Sequence, residues 1–186
     1  MMSLATFYFV QELAEQCMFV KMAKIDLKKC RRTDNYGLDR EYYYLQSLLI
    51  ALGNISKILW PIKKKNAYRG TELRATLNVE DDSALKNRGL RNLFEHFDQK
   101  ADEWFEAEER GGFSDRNVGS MEGVIKPSAK DRLRTFNPET WTLTCLGEEF
   151  KLGPAIQAVY ELYEAIQNKI GQPGKKVQPL PGELDE

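Results

Sequence analysis

The 186-residue sequence predicts a mainly α-helical fold, a bundle of helices with a small β-hairpin inserted before the last helix. Three observations predict this fold. Apolar residues recur at three- and four-residue steps over long segments, turn-forming residues separate these segments, and one short stretch late in the chain alternates. The length is sufficient for a hydrophobic core. We therefore predict one helical domain over residues 1–170 and a loose C-terminal tail over residues 171–186, where Pro, Gly and charged residues dominate.

The first two helices are predicted to be the longest and to pack as antiparallel neighbours. Ser3 caps the first helix, which runs to about Lys29. Asp39 opens the second helix, which Pro61 ends because proline lacks the backbone N–H that a helix requires. The apolar positions of the first helix are Phe7, Val10, Leu13, Ala14, Cys17 and Val20. Those of the second are Tyr42, Leu45, Leu48, Leu49, Leu52, Ile55, Ile58 and Leu59.

Two further helices are predicted before the insertion. A modest helix extends from about Gly70 to Leu77. Asp82 or Ser83 then caps a longer helix that reaches about Ala107, after which a Gly-Gly pair provides the stop. This longer helix contains the residue pattern on which the functional hypothesis depends.

Residues 113–152 are predicted to form an insertion of loop and hairpin. Phe113 to Arg134 has weak periodicity and many turn residues, which indicates a loop. Thr140 to Leu146 and Glu149 to Leu152 alternate around Gly147 and predict a hairpin. Pro154 begins the last amphipathic helix, since proline is favoured in the first turn.

Composition excludes several classes of function. The 27 basic and 28 acidic residues leave a net charge of −1, so any polyanion site must be a local patch. The only three cysteines, Cys17, Cys30 and Cys145, form no CxxC pair and are expected to be reduced, and with a single histidine no metal site and no cofactor is predicted. No apolar run is long enough for a membrane span and no signal peptide is recognisable, so we expect a cytoplasmic protein without a membrane partner.

The segment from Ser83 to Phe105 has two distinct helical faces. Its apolar stripe consists of Leu90, Phe94, Phe97, Ala101 and Trp104, flanked by Leu93 and Phe105. A polar row on another face contains Arg88, Asn92, His96 and either Gln99 or Lys100. Arg91 lies about 140° around the helix from His96. One helix therefore does not easily hold a single phosphate between these two side chains, but two copies facing each other across a twofold axis could.

This group of residues suits cleavage of RNA without a metal ion. An imidazole can accept or donate a proton near neutral pH. An arginine can bind phosphate oxygens and stabilise the charge that develops on phosphorus. Asn92 would orient the imidazole or the phosphate. Two alternatives stay open, because a histidine on a helix is often an ordinary surface or capping residue and Arg91 can pair with Glu95 four residues later.

The string Arg91-Asn92-Leu93-Phe94-Glu95-His96 resembles the Arg-x4-6-His motif of the HEPN superfamily, including the polar residue that often follows the arginine. The resemblance implies a four- to five-helix bundle with the motif on a late helix. It implies a metal-independent endoribonuclease that works as a homodimer, with Arg91 and His96 as the catalytic pair and Asn92 assisting. It also implies a role as a toxin, with an antitoxin protein as partner, or in antiviral defence.

Arg88 and Lys100 lie near the motif and are predicted to bind the RNA substrate. Some HEPN proteins are inactive, so a second hypothesis is a non-catalytic helical module that binds a nucleotide, RNA or another protein. A third is a structural dimer in which Arg91 and His96 only form hydrogen bonds across the interface.

Overall fold

The computed structural model describes residues 2–30, 36–87, 89, 92–93, 96–107, 109, 112–119 and 128–170. We number the described helices α1 (Leu4–Lys29), α2 (Gly37–Leu59), α3 (Ala67–Leu77), α4 (Phe97–Glu106) and α5 (Leu152–Ile170). The strands are β1 (Asn117–Val118), β2 (Arg134–Asn137), β3 (Thr142–Cys145) and β4 (Glu148–Lys151). The predicted mainly helical class is confirmed. The HEPN-like arrangement of the helices stays a prediction.

The chain divides into two compact units. The first unit is Met1–Arg91 together with Ala155–Glu186, and the second is Asn92–Pro154. The first unit contains α1, α2, α3 and most of α5, whereas the second contains α4 and the sheet. The predicted tail, residues 171–186, lies outside the described residues, and the prediction of a single domain stays a prediction.

Helices α1 and α2 form the centre of the first unit. The Ser3 hydroxyl accepts a hydrogen bond from the Thr6 backbone N–H at 3.1 Å, which confirms the predicted N-cap of α1. Halfway along α1, the Asn54 side chain of α2 donates to Gln16 at 3.2 Å. The Cys30 thiol at the end of α1 donates to the Gly37 carbonyl at the start of α2, so the two helices run antiparallel, as predicted. Their fully buried apolar residues include Val10, Leu13, Cys17, Val20, Leu48, Ile55 and Leu59.

Helix α3 begins very close to the end of α2. A Cβ atom on Gly70 would lie 2.6 Å from both the Leu59 carbonyl oxygen and the Pro61 Cδ, so only glycine permits this approach. Arg74 of α3 donates to the same Leu59 carbonyl. Asn78 ends α3 in the left-handed conformation, with φ of 54°.

The predicted continuous helix from Asp82 or Ser83 to Ala107 is wrong. Ser83 caps only a short 3-10 helix, Ala84–Lys86, and Asn87 then adopts an extended ψ of 97°. Helix α4 starts at Phe97, after His96 with φ of −127° and ψ of 34°. Between these two positions Gly89, Asn92 and Leu93 are helical, so the described interruptions lie at Asn87 and at His96. An asparagine side chain competes with helical backbone hydrogen bonds, which favours the first interruption.

The second unit is built around a four-stranded sheet in the order β1-β2-β3-β4. The predicted hairpin is confirmed as β3 and β4, joined by Leu146 and Gly147 with φ of 53° and 82°. Two positive φ angles define the tight turn type that matches the twist of a hairpin. The sheet buries Phe136, Leu143 and Phe150 on one face. Edge strand β4 exposes charged side chains, at Glu148, Glu149 and Lys151.

The prediction of an uninterrupted loop over Phe113 to Arg134 is corrected in its described parts. Strand β1 lies within this segment and pairs in parallel with β2, and a short 3-10 helix covers Ala129–Asp131. Backbone hydrogen bonds join the two ends of this segment. The Leu133 N–H donates to the Ser114 carbonyl at 2.8 Å, and the Ser114 N–H donates to the Asp131 carbonyl at 2.8 Å. The regular structure of this segment therefore depends on contacts between distant residues, which the local residue preferences do not predict.

No single helix in the described ranges has both the length and the apolar character to cross a membrane. Helix α2 and the helical segment Lys64–Leu77 meet these two criteria only as a pair, with an 80° bend between them.

Candidate functional site

His96 is the only histidine of the chain, and its side chain is exposed at the N-cap position of α4. Backbone hydrogen bonds of His96 connect it both to Asn92 before it and to α4 after it. The His96 N–H donates to the Asn92 carbonyl at 3.0 Å, and the His96 carbonyl accepts from the Lys100 N–H at 2.9 Å. Although the His96 dihedral angles are not helical, Asn92, His96 and Lys100 therefore follow one another at one-turn intervals.

Asn92 is exposed like His96, whereas the neighbouring Leu93 is only 2% exposed. Trp104 of α4 is also buried, at 8% exposure. The expected separation of an apolar stripe from a polar row is seen only in part, because Phe97 and Ala101 are half-buried and Phe105 is 44% exposed. An exposed amide one turn before an exposed imidazole leaves both side chains open to a ligand.

Lys100 already has a partner. Its ammonium lies 3.2 Å from a carboxylate oxygen of Glu103, and both side chains are well exposed. Exposed pairs of this kind contribute little, about 0–1 kcal/mol, because water and salt screen the charges. A phosphate could therefore replace Glu103 as the partner of Lys100 at little cost.

Arg88 and Arg91 lie outside the described residues, so the predicted approach of Arg91 to His96 across two copies stays a prediction. Phe94 and Glu95, which complete the motif, lie outside them as well.

The three cysteines are free, as expected. Cys17 is fully buried, and burial raises the pKa of its thiol to about 12 despite the opposing effect of the Lys21 charge. Burial likewise raises the pKa of Cys145 to about 12. Thiols that stay protonated at neutral pH are poor nucleophiles and poor metal ligands. Within the described ranges, no three His, Cys, Asp or Glu side chains are grouped so that they could hold a metal ion.

Sequence reasoning missed a buried lysine in the first unit. Lys21 is only 3% exposed, and its ammonium lies 5.0 Å from the ring centre of Tyr160 and 4.9 Å from that of Tyr163. Burial and the nearby Cys17 raise the pKa of Tyr163. The available signal was the position of Lys21, four residues after Cys17 on the buried side of α1. The two rings stabilise the ammonium by cation–π attraction, so we assign this group to the core.

Sequence reasoning also missed a polar network that holds the start of the sheet. Arg134 and Asp115 form an ion pair, and the Asn117 side chain donates to the Arg134 carbonyl at 3.1 Å. The Ser114 hydroxyl lies 2.6 Å from the Asn117 side-chain oxygen and can donate to it. These side chains satisfy one another, which indicates a structural role.

The outer face of the sheet carries a shallow polar depression of about 600 Å3, lined by residues that include Arg132, Thr135, Thr142, Thr144 and Lys151. It contains neither the imidazole nor the amide of the motif. The exposed His96 and Asn92 therefore remain the candidate catalytic group. Compared with known proteins, the chain matches no family, no curated protein and no solved structure.

Proposed function

We propose that this chain is a HEPN-like, metal-independent endoribonuclease that cleaves RNA at a site shared by two copies. The main supporting observation is the exposed His96 at the start of α4, with the exposed Asn92 one turn before it. An imidazole that is accessible and preceded by an amide can exchange protons with a bound ribose and phosphate.

In the proposed reaction, the ribose 2′-oxygen attacks the adjacent phosphorus and the bond from phosphorus to the 5′-oxygen breaks. One imidazole takes the proton from the 2′-hydroxyl, and the protonated imidazole of the second subunit gives a proton to the departing 5′-oxygen. The products are a 2′,3′-cyclic phosphate and a 5′-hydroxyl. The step consumes no water and needs no redox partner.

The roles of the other motif residues and of their neighbours follow from the charge or the hydrogen-bonding groups of each side chain. Arg91 stabilises the negative charge that develops on the phosphate oxygens, and Asn92 orients either the imidazole or the phosphate. Arg88 and Lys100 bind neighbouring phosphates of the strand. The weak pair between Lys100 and Glu103 leaves Lys100 available for this contact.

The resemblance also supports a biological setting. We propose that the nuclease acts as a toxin, restrained by an antitoxin protein, or in antiviral defence. Induction of the wild-type chain in bacteria should then stop growth, whereas induction of the His96→Ala variant to the same level should not. Equal growth of the two strains would contradict the toxin role.

The decisive experiment is cleavage of a labelled single-stranded RNA in excess EDTA. We expect the wild type to cut and to leave 2′,3′-cyclic phosphate ends, which mass spectrometry identifies. His96→Ala and Arg91→Ala should each reduce the rate by about 100-fold or more, because each removes a group that acts in the transition state. Asp102→Asn, an exposed change on α4, is the matched control and should cleave normally.

Circular dichroism of each variant checks that the fold is retained. Cleavage by His96→Ala at the wild-type rate would refute the proposal, as would cleavage that EDTA abolishes. A shared site also predicts that specific activity rises with protein concentration as dimers form, which sedimentation measures in parallel. RNA that is bound but never cut would identify the alternative, a non-catalytic binding module.

A further inference from the structure

Positive charge is concentrated at one end of the first unit. Between Tyr42 and Thr71 the chain contains no acidic residue, although basic and acidic residues nearly balance over the whole sequence. The basic residues of this stretch are Lys57, Lys63, Lys64, Lys65 and Arg69. Apart from Lys57, they lie where α2 has ended and α3 begins. We call Lys63, Lys64, Lys65, Tyr68 and Tyr8 the basic end.

The three consecutive lysines are all exposed, and among the described residues none of them has an ion-pair partner. Lys64 and Lys65 belong to a 3-10 helix, Lys64–Asn66, that runs directly into α3. Tyr68 therefore lies about one turn after these two lysines, and it is 74% exposed. Lys63 precedes this helix in extended conformation, whereas Lys64 and Lys65 are successive residues of it and point about 120° apart, so the three lysines spread their charge over a surface.

The start of α1 adds a second exposed tyrosine to this end. The guanidinium of Arg69 lies 4.2 Å from the ring centre of Phe9, and the Phe9 ring contacts the Tyr8 ring edge-on at 5.4 Å. One turn further along α3, the Thr6 hydroxyl donates to Glu72 at 2.8 Å. These contacts hold α1 against α3, and Tyr8 stays 58% exposed.

Spread positive charge beside exposed aromatic rings is the combination that single-stranded nucleic acid requires. Lysines attract the successive phosphates of a strand, and unpaired bases stack on flat aromatic side chains. A small ligand with one phosphate would need cations that converge on one point, whereas these three diverge. An anionic membrane surface would also attract the lysines, but stable insertion needs a broad aliphatic face. Among the described residues, the large aliphatic side chains exposed at this end are Leu4 and Ile62.

We propose that the basic end binds single-stranded RNA, with the lysines on phosphates and with Tyr68 and Tyr8 under bases. This inference goes beyond the proposed cleavage chemistry, because binding at this surface requires neither Arg91 nor His96. If both proposals hold, the basic end is a second contact for the RNA.

The experiment measures fluorescence anisotropy of a labelled 16-nucleotide 2′-O-methyl oligouridine with the full chain. This strand lacks the 2′-hydroxyl that would attack phosphorus, so binding is measured without cleavage. The triple variant Lys63→Ser, Lys64→Ser, Lys65→Ser should bind at least about 10-fold more weakly at low salt. The slope of log affinity against log salt should fall by about 2, since each lost phosphate contact removes about 0.7.

A matched triple variant, Lys130→Ser, Lys151→Ser, Lys169→Ser, removes the same charge from exposed positions elsewhere and should bind like the wild type. Tyr68→Ala should weaken binding by about 5-fold or more with an unchanged salt slope. Tyr68→Phe should bind with the wild-type affinity, because it keeps the aromatic ring that stacks on a base. Urea unfolding of every variant verifies the fold.

Equal losses in the two triple variants would overturn the proposal, because binding would then follow net charge alone. Equal affinity for a duplex and for the single strand would also overturn it, because stacking needs unpaired bases. Binding to vesicles of phosphatidylcholine and phosphatidylserine without binding to the oligonucleotide would assign the surface to membranes instead. Failure of the nuclease assay with intact strand binding would separate this inference from the proposed function.

Discussion

Arg134 and Asp115 face each other in a two-point ion pair in the second unit. The Arg134 Nε lies 2.7 Å from one oxygen of Asp115, and a terminal nitrogen lies 2.5 Å from the other. Both side chains are mostly buried, at 30% and 24% exposure. The pair joins the segment before β1 to β2.

Asp115→Asn should lower the free energy of unfolding at pH 7 by about 1–3 kcal/mol, because the guanidinium loses a charged partner in a poorly solvated position. Urea denaturation measures this change. Glu103→Gln, which breaks the exposed pair with Lys100, is the control and should cost about 1 kcal/mol or less. An equal loss of stability in the two variants would contradict the view that the Arg134–Asp115 pair stabilises the second unit more than an exposed pair does.

The same pair predicts a dependence on pH. Burial alone would raise the pKa of Asp115, but its hydrogen bond with Arg134 and the nearby positive charges outweigh burial and lower the pKa below its ordinary value of 3.8. The ionised carboxylate therefore stabilises the folded state above about pH 4, and this contribution is lost as the pH falls through the lower folded pKa. The difference in stability between wild type and Asp115→Asn should shrink on acidification below pH 4. A constant difference down to pH 2 would contradict this.

Gly147→Ala should destabilise the protein by about 1–2 kcal/mol. Gly147 has a φ of 82°, a conformation that places the Cβ of other residues close to backbone atoms. Gly153→Ala is the matched control, because Gly153 lies in the first turn of α5 with open space around it and no positive φ. Thermal unfolding should show a lower melting temperature for Gly147→Ala and an unchanged melting temperature for Gly153→Ala.

Gly70→Ala should lower the free energy of unfolding by about 1–3 kcal/mol, although alanine is ordinarily the better residue for a helix interior. The added methyl group would meet backbone at the Leu59 carbonyl, which cannot move without shifting the end of α2. Ala75→Ser, at an exposed position of the same helix, should change stability by less than about 0.5 kcal/mol. A fully stable Gly70→Ala would refute the close approach of α3 to α2.

Alkylation should distinguish the three cysteines. Cys30 is half-buried, whereas burial raises the pKa of Cys17 and of Cys145 to about 12. Iodoacetamide at pH 8 should therefore modify Cys30 in the folded protein and the other two only after urea is added. Peptide mass spectrometry reads out each site. Rapid labelling of Cys17 in the folded state would contradict its placement in the core.

The raised pKa values of the Cys17 and Cys145 thiols also make the stability of the protein depend on pH in the alkaline range. In the unfolded chain these thiols ionise near their ordinary value of 9, but in the folded protein they stay protonated until about 12. The free energy of unfolding should therefore fall between pH 9 and pH 12. Cys17→Ala should reduce this fall relative to the wild type when unfolding is measured in urea at each pH.

Local patterns predicted much of the fold. The three long helices were predicted because their apolar residues repeat at the helical period and because Ser3 and Pro61 mark ends. The hairpin was predicted because alternation surrounds Gly147. Each of these signals lies within the element that it specifies, so a single sequence contains it.

The errors arose where distant residues decide the structure. The order around Asn117 depends on pairing with Thr135 in β2, a partner 18 positions away. The interruptions at Asn87 and His96 were missed because Ser83 offers an N-cap and apolar residues recur at helical spacing from Leu90 to Trp104. For the candidate site, the sequence supplied the residue types and the exposed positions of Asn92 and His96, but the meeting of two copies around Arg91 stays a prediction.

The arrangement of the sheet also has a consequence for how quickly it forms. Strands β2, β3 and β4 are consecutive neighbours, so they can assemble by short loop closures on a fast timescale. Strand β1 pairs in parallel with β2, and the chain must first close the much longer excursion from Val118 to Arg134. We therefore expect amide protons of β1 to gain protection from hydrogen exchange last during refolding, after the three-stranded meander is complete.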